Sequence, residues 1–132
     1  MRPVFAAACA AALLAVAAGA ACAQPKAEQQ GALLPRDSVD ASNFRGGLVY
    51  ANYCVTCHGM NADGNGRAAR LYNPKPANLR TSDKNNDYFG LIIRQGGAAL
   101  ARSEFMPSWD AELTGEQISD LVSYLRSINT KQ

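Results

Sequence analysis

The sequence predicts a small all-α domain with long loops, and three observations predict it. Apolar residues recur at helical spacing in well-separated segments, no segment alternates in the manner of a strand, and stretches rich in Gly, Asn and Pro divide the helical ones. At 132 residues, the chain is short enough for one domain to be the default.

The first helix is expected over Arg45–Tyr53, with Ser42 or Asn43 as N-cap and Tyr50 turned inward. Gly46 and Gly47 each cost this helix about 1 kcal/mol relative to Ala. They point to the close approach of another helix, or to simple fraying. A single turn is expected within Arg67–Tyr72. A third helix, Asp87–Gln95, places Tyr88, Leu91 and Ile92 on one stripe and stops at Gly96-Gly97. The last helix has the strongest signature. Thr114-x-x-Gln117 is a capping box, and Ile118, Leu121, Val122, Leu125 and Ile128 follow at helical spacing. The loops Gly59–Gly66, Asn73–Asn78 and Gly96–Trp109 leave a thin core, and a small domain of this kind needs a staple.

Residues 1–23 read as a secretory signal peptide. A basic start at Arg2 precedes the apolar run Val4–Ala18, and Ala21-Cys22-Ala23 supplies the small-x-small cleavage site. The run is shorter than the ~20 residues of a spanning helix. A lipoprotein reading through Cys22 lacks the large aliphatic residue that would open its box. Residues 24–43 are polar and aperiodic, with Pro25, Gly31 and Pro35, and read as a flexible leader; the domain is assigned to residues 44–132.

Cleavage after Ala23 would remove Cys9 and Cys22, leaving Cys54 and Cys57 three positions apart. Such a pair cannot staple distant parts of a fold. Cys54-Val55-Thr56-Cys57-His58 is instead C-x-x-C-H, the attachment signature for c-type haem. Each thiol adds across one vinyl group, two intervening residues let both sulfurs reach neighbouring porphyrin edges, and His58 follows as proximal ligand. One covalent haem c would consume both thiols and supply the missing core. A redox dithiol calls for a strand–helix sheet that this sequence lacks, and a plain disulfide leaves the adjacent His58 unexplained. Structural zinc needs four ligands, and no further Cys or His follows His58.

The sixth iron ligand follows by elimination. His58 is the only histidine, Met1 leaves with the signal, and Met60 is too close in sequence to His58 to reach the opposite face. Met106 remains, in a loop pinned by Pro107. The competing readings are Met106 as core filler and ligation by Lys75 or Lys84. The formal net charge of +2 implies neither nucleic acid nor an anionic membrane as partner. Basic residues outnumber acids from Gly64 to Arg102, and Ser103–Asp120 carries acids and no Lys or Arg. That is either a solvated mixed surface or a basic docking rim for an acidic redox partner.

Taken together, these motifs resemble the monohaem class I cytochromes c of bacterial periplasms over Phe44–Ile128. Gly46-x-x-x-Tyr50-x-x-x-Cys54 is similar to that family's first helix, and Cys57-His58-Gly59 with Asp63-Gly64-Asn65-Gly66 to its post-haem loop. Phe105-Met106-Pro107 resembles its axial-ligand loop, and Leu113-Thr114 through Tyr124-Leu125 its last helix. The resemblance implies the small cytochrome c fold, three to four helices and long loops wrapped around one covalent haem. It also implies that the first and last helices cross with Gly46 facing Tyr124. A proline carbonyl, of Pro74 or Pro76, is expected to accept a hydrogen bond from the proximal His58. Trp109 packs either near a haem propionate or as ordinary loop filling.

With both axial positions held by protein, the expected function is one-electron transfer by a periplasmic carrier, not an enzyme. Its partners would be a dehydrogenase or membrane complex on one side and a terminal oxidase or reductase on the other, and it would span no membrane after signal cleavage. The alternative is a dedicated cytochrome subunit of a periplasmic oxidoreductase complex, with the polar leader as docking arm. A haem enzyme or gas sensor would require Met106 to leave the iron.

Overall fold

The computed structural model describes residues 33–131, and every regular element among them is helical. Four α-helices follow in order: α1 Val39–Tyr53, α2 Val55–His58, α3 Asn86–Ala99 and α4 Gly115–Ser127. A 3₁₀ turn, Ala69–Leu71, falls inside the expected Arg67–Tyr72. The all-α expectation holds, and no described helix is long and apolar enough to cross a membrane. The signal peptide 1–23 and residues 24–32 of the expected leader lie outside the described residues.

The first helix begins at Val39 and not at Arg45, so residues 39–43 of the expected leader are helical. Ser38 is the N-cap, its Oγ accepting from the Ala41 amide at 3.1 Å. The two expected caps serve another purpose from within the helix. Ser42 Oγ donates to Asp120 Oδ1 at 2.6 Å, and Asn43 Oδ1 accepts from Ser123 Oγ at 2.7 Å. Polar residues that read as a leader are thus the face that α1 turns toward α4.

That pairing forms the body of the domain. A Cβ on Gly46 would run into the Asp120 carbonyl oxygen and lie 2.8 Å from Tyr124 Cβ, so the backbones meet where only glycine fits. The Tyr50 and Tyr124 rings pack at 5.4 Å between centroids. Asp120, only 4% exposed, takes Arg45 Nε at 2.6 Å, Arg45 Nη2 at 2.9 Å and Ser42 Oγ. A buried carboxylate is costly unless its oxygens are occupied, and here both are. Ile118, Leu121, Val122 and Leu125 of α4 join Val49, Tyr50, Phe89 and Ile93 in the core. Each such side chain contributes about 1.5–3 kcal/mol on full burial. The Thr114–Gln117 capping box forms in both directions, at 2.8 and 3.2 Å, and starts α4 where the sequence puts it.

Helix α3 departs from its expected stripe. Phe89 and Ile93 are its buried large side chains, they line a cavity together with Tyr88 and Ile92, and Leu91 faces outward at 43% exposure. Tyr88, Phe89, Ile92 and Ile93 thus make one broad apolar face that closes both core and cavity, and Leu91 lies off it. Its helical dihedrals break at Gly96 (φ 79°), as the Gly96-Gly97 stop predicts.

Candidate functional site: an apolar cavity behind the C-x-x-C-H turn

Helix α1 ends at Tyr53, and Cys54 both closes it and opens the single turn α2. The Cys57 and His58 amides donate to the Cys54 carbonyl at 3.2 and 2.9 Å. This turn sets Cys54, Cys57 and His58 against one cavity of about 380 Å³, whose other walls come from the end of α1, from α3 and α4, and from the loops before and after α3. The loop beyond His58 wraps back on the turn, with Gly64 N–H donating to the His58 carbonyl at 2.8 Å and Gly66 N–H to that of Cys57 at 3.1 Å. Tyr50 Oη donates to the Gly59 carbonyl at 2.6 Å inside the core and ties the same loop to α1.

His58 is held by its ring. Nδ1 lies 3.0 Å from the Ala77 carbonyl oxygen, which can only accept, so the proton sits on Nδ1 and the lone pair on Nε2. The acceptor is therefore neither Pro74 nor Pro76 but the residue after Pro76. Burial lowers the His58 pKa and the Ala77 bond partly opposes it, so near neutral pH the imidazole is uncharged and able to ligate. Cys54 and Cys57 are half-buried and not joined to each other. Burial, aided by the charge of Cys57, pushes the Cys54 thiol up to about 12.

Met106 reaches the same cavity from the far end of α3. Gly96-Gly97 brings it there: the Gly97 amide donates to the Met106 carbonyl at 2.9 Å, and a Cβ on Gly97 would stand 3.3 Å from Met106 Cβ. Trp109 also lines the cavity, packs edge-on against Tyr53 at 5.3 Å, and donates its amide to the Ile93 carbonyl at 3.0 Å. Lys75 and Lys84 line the cavity too. Sequence reasoning missed Arg102 and Tyr88 as cavity residues; only the α3 stripe hinted at Tyr88. Among the described residues no three His, Cys, Asp or Glu side chains converge to hold a metal ion.

A helical domain built around a C-x-x-C-H turn, with an apolar cavity behind it, defines a c-type cytochrome. The family model described as cytochrome c oxidase, cbb3-type, subunit III matches residues 42–125, and the chain belongs to this family of cytochrome c domains, whose work is electron transfer. A chain of the reducing HAO-like protein complex of Kuenenia stuttgartiensis is similar in structure, with a TM-score of 0.55 and 31% identity over 64% of the present chain. The present chain spans 41% of that neighbour's length. No curated protein matches the chain. Family membership implies haem c, and the donor set fits it: two thiols at attachment spacing, a neutral imidazole, a thioether, and apolar walls between them.

Proposed function

We propose that the chain is a one-electron carrier of the periplasm, with a single haem c joined through Cys54 and Cys57 and ligated by His58 and Met106. One observation carries this reading. A local motif and a distant methionine, which have no reason to meet otherwise, face the same apolar cavity. When bound, haem c supplies a Fe(III)/Fe(II) couple that changes by one electron.

The residues serve that couple by holding still. The Ala77 carbonyl fixes the His58 ring and keeps its proton on Nδ1, which raises the basicity of Nε2. Gly97 pins the backbone of Met106, and a thioether ligand favours the reduced state. Phe89, Ile93, Leu121 and Leu125 wall the cavity and exclude water. With two protein ligands in place, neither dioxygen nor substrate has a position to occupy. Electrons are taken from a dehydrogenase or membrane complex and passed to a terminal acceptor. The residue 1–23 pattern supports export.

The test is the absorption spectrum of purified protein. Reduced bands of a c-type haem and a weak far-red ferric band from sulfur on iron are expected. Met106→Ala should lose the far-red band and bind carbon monoxide when reduced. An unchanged spectrum removes Met106 from the iron. A dedicated subunit of a periplasmic oxidoreductase complex is the second reading, favoured by the neighbour's residence in a complex. Co-elution with an oxidoreductase in gel filtration of a periplasmic extract supports it; elution as a monomer supports the free carrier.

A further inference from the structure

Polar groups are scarce on the cavity wall, and three of them stand together. Arg102 Nε donates to Tyr88 Oη at 3.2 Å, Lys84 Nζ lies 5.9 Å from the centre of the Tyr88 ring, and all three residues line the cavity. Arg102 is exposed while Tyr88 and Lys84 are half-buried, which puts the group at the rim.

Their bonding leaves donors unspent. The guanidinium uses Nε on the phenol and makes no ion pair among the described residues, so Nη1 and Nη2 remain as a fork. The phenol oxygen accepts from Arg102 and keeps its own O–H to give away. Lys84 is partly neutralised by Asp83 at 3.1 Å. The backbone is shaped to the same end. Ala101 sits in the left-handed region (φ 52°), and the Arg102 amide then donates to the Gly97 carbonyl at 2.8 Å, fixing Arg102 beside the end of α3.

A fork of N–H donors beside a phenol O–H, on the edge of an apolar cavity, matches a carboxylate. Haem c carries two, on the edge opposite its vinyl groups. The cluster comes from α3 and its flanking loops, not from the α1–α2 corner that bears the thiols. We propose that Arg102 and Tyr88, flanked by Lys84, bind the haem propionates and bias the iron toward the reduced state. The inference rests on the haem reading given above. A fixed cation near the propionates opposes the extra positive charge of Fe(III), so its loss favours oxidation.

The test uses purified holoprotein and its Arg102→Gln and Tyr88→Phe variants, with Arg94→Gln as control. Arg94 pairs with Asp110 at 3.1 Å and is not among the residues lining the cavity. Two readings are taken: a redox titration and the propionate bending band in the resonance Raman spectrum. Arg102→Gln should lower the Fe(II):Fe(III) ratio at a fixed ambient potential at least threefold, about 28 mV at ~59 mV per decade, and should move the propionate band. Tyr88→Phe should move the band with a smaller change in ratio, and Arg94→Gln should move neither. A ratio that shifts with the band unmoved in both variants overturns the contact, leaving only charge acting at a distance. No change in either reading, or an equal response from Arg94→Gln, overturns the proposal outright. A colourless parent protein with two reactive thiols overturns the haem reading and this one with it.

Discussion

The α1–α4 crossing and the cavity shell are built on opposite plans. At the crossing, two helices meet backbone to backbone at Gly46, a carboxylate is fully bonded between them, and apolar side chains close the space around it. The shell draws about as much on loops as on helices, is tied by backbone bonds such as Gly64 to His58 and Gly97 to Met106, and lines the apolar cavity. One region is held by helix-on-helix packing; the other is held by loop hydrogen bonds around the cavity. The difference explains how so small a chain keeps an apolar cavity, since the crossing fixes the frame on which the loops are hung.

The comparison is broken most severely by denying the shell its occupant. Cys54→Ser with Cys57→Ser should abolish covalent haem, so that acidified solvent extracts all colour, and near-ultraviolet circular dichroism should lose the loop aromatics while far-ultraviolet helix signal partly survives. Equal loss of both signals would mean that the crossing has no stability of its own. Next in size is damage to the crossing itself. Gly46→Val should cost about 3 kcal/mol by overpacking against Asp120 and Tyr124, seen as a lower thermal midpoint in protein that still carries its absorption bands.

A subtler effect runs through Asp120. The Arg45 hydrogen bond, with help from Ser42, holds its pKa below the ordinary carboxylate value. A depressed folded-state pKa contributes stability that is complete above about pH 4 and drains away as pH falls through the folded value. Asp120→Asn should therefore lose about 1 kcal/mol at neutral pH, a figure kept low because the Arg45 side chain is 34% exposed. Thermal melts should show parent and variant converging as pH drops below about 4; a gap independent of pH would remove the charge from the explanation. The smallest effect should be a gain. Gly90 lies within α3, and a Cβ there would meet nothing within 4 Å, so Gly90→Ala should add about 0.5–1 kcal/mol to stability in a denaturant titration.

What could be read from sequence follows the same division. Features set by near neighbours were legible: the Thr114–Gln117 box, the stop at Gly96, and the spacing of Cys54, Cys57 and His58. Features set at a distance were harder. Ser42 and Asn43 read as caps because their partners, Asp120 and Ser123, lie on α4, and nothing local announces them. The α3 stripe was right at Tyr88 and Ile92 and wrong at Leu91, because Phe89 and Ile93, one position round the helix, satisfy the same i, i+4 spacing and only tertiary packing chooses between them. The choice between Pro74 and Pro76 was misplaced for a related reason: which carbonyl faces His58 depends on how the Asn73–Asn78 loop lies against the post-haem loop, and that carbonyl proved to be Ala77. Met106 was singled out by elimination, which needs no geometry, and it lies on the cavity wall.

Because α1 fastens to α4 across a sequence separation of 75 residues at the Arg45–Asp120 bond, the domain is topologically a ring closed by a clasp. Closing such a ring is entropically expensive once, yet doubling the length of a loop within it costs only about 0.6 kcal/mol. Insertions between the helices can therefore reshape the surface that partners meet while the clasp keeps its geometry.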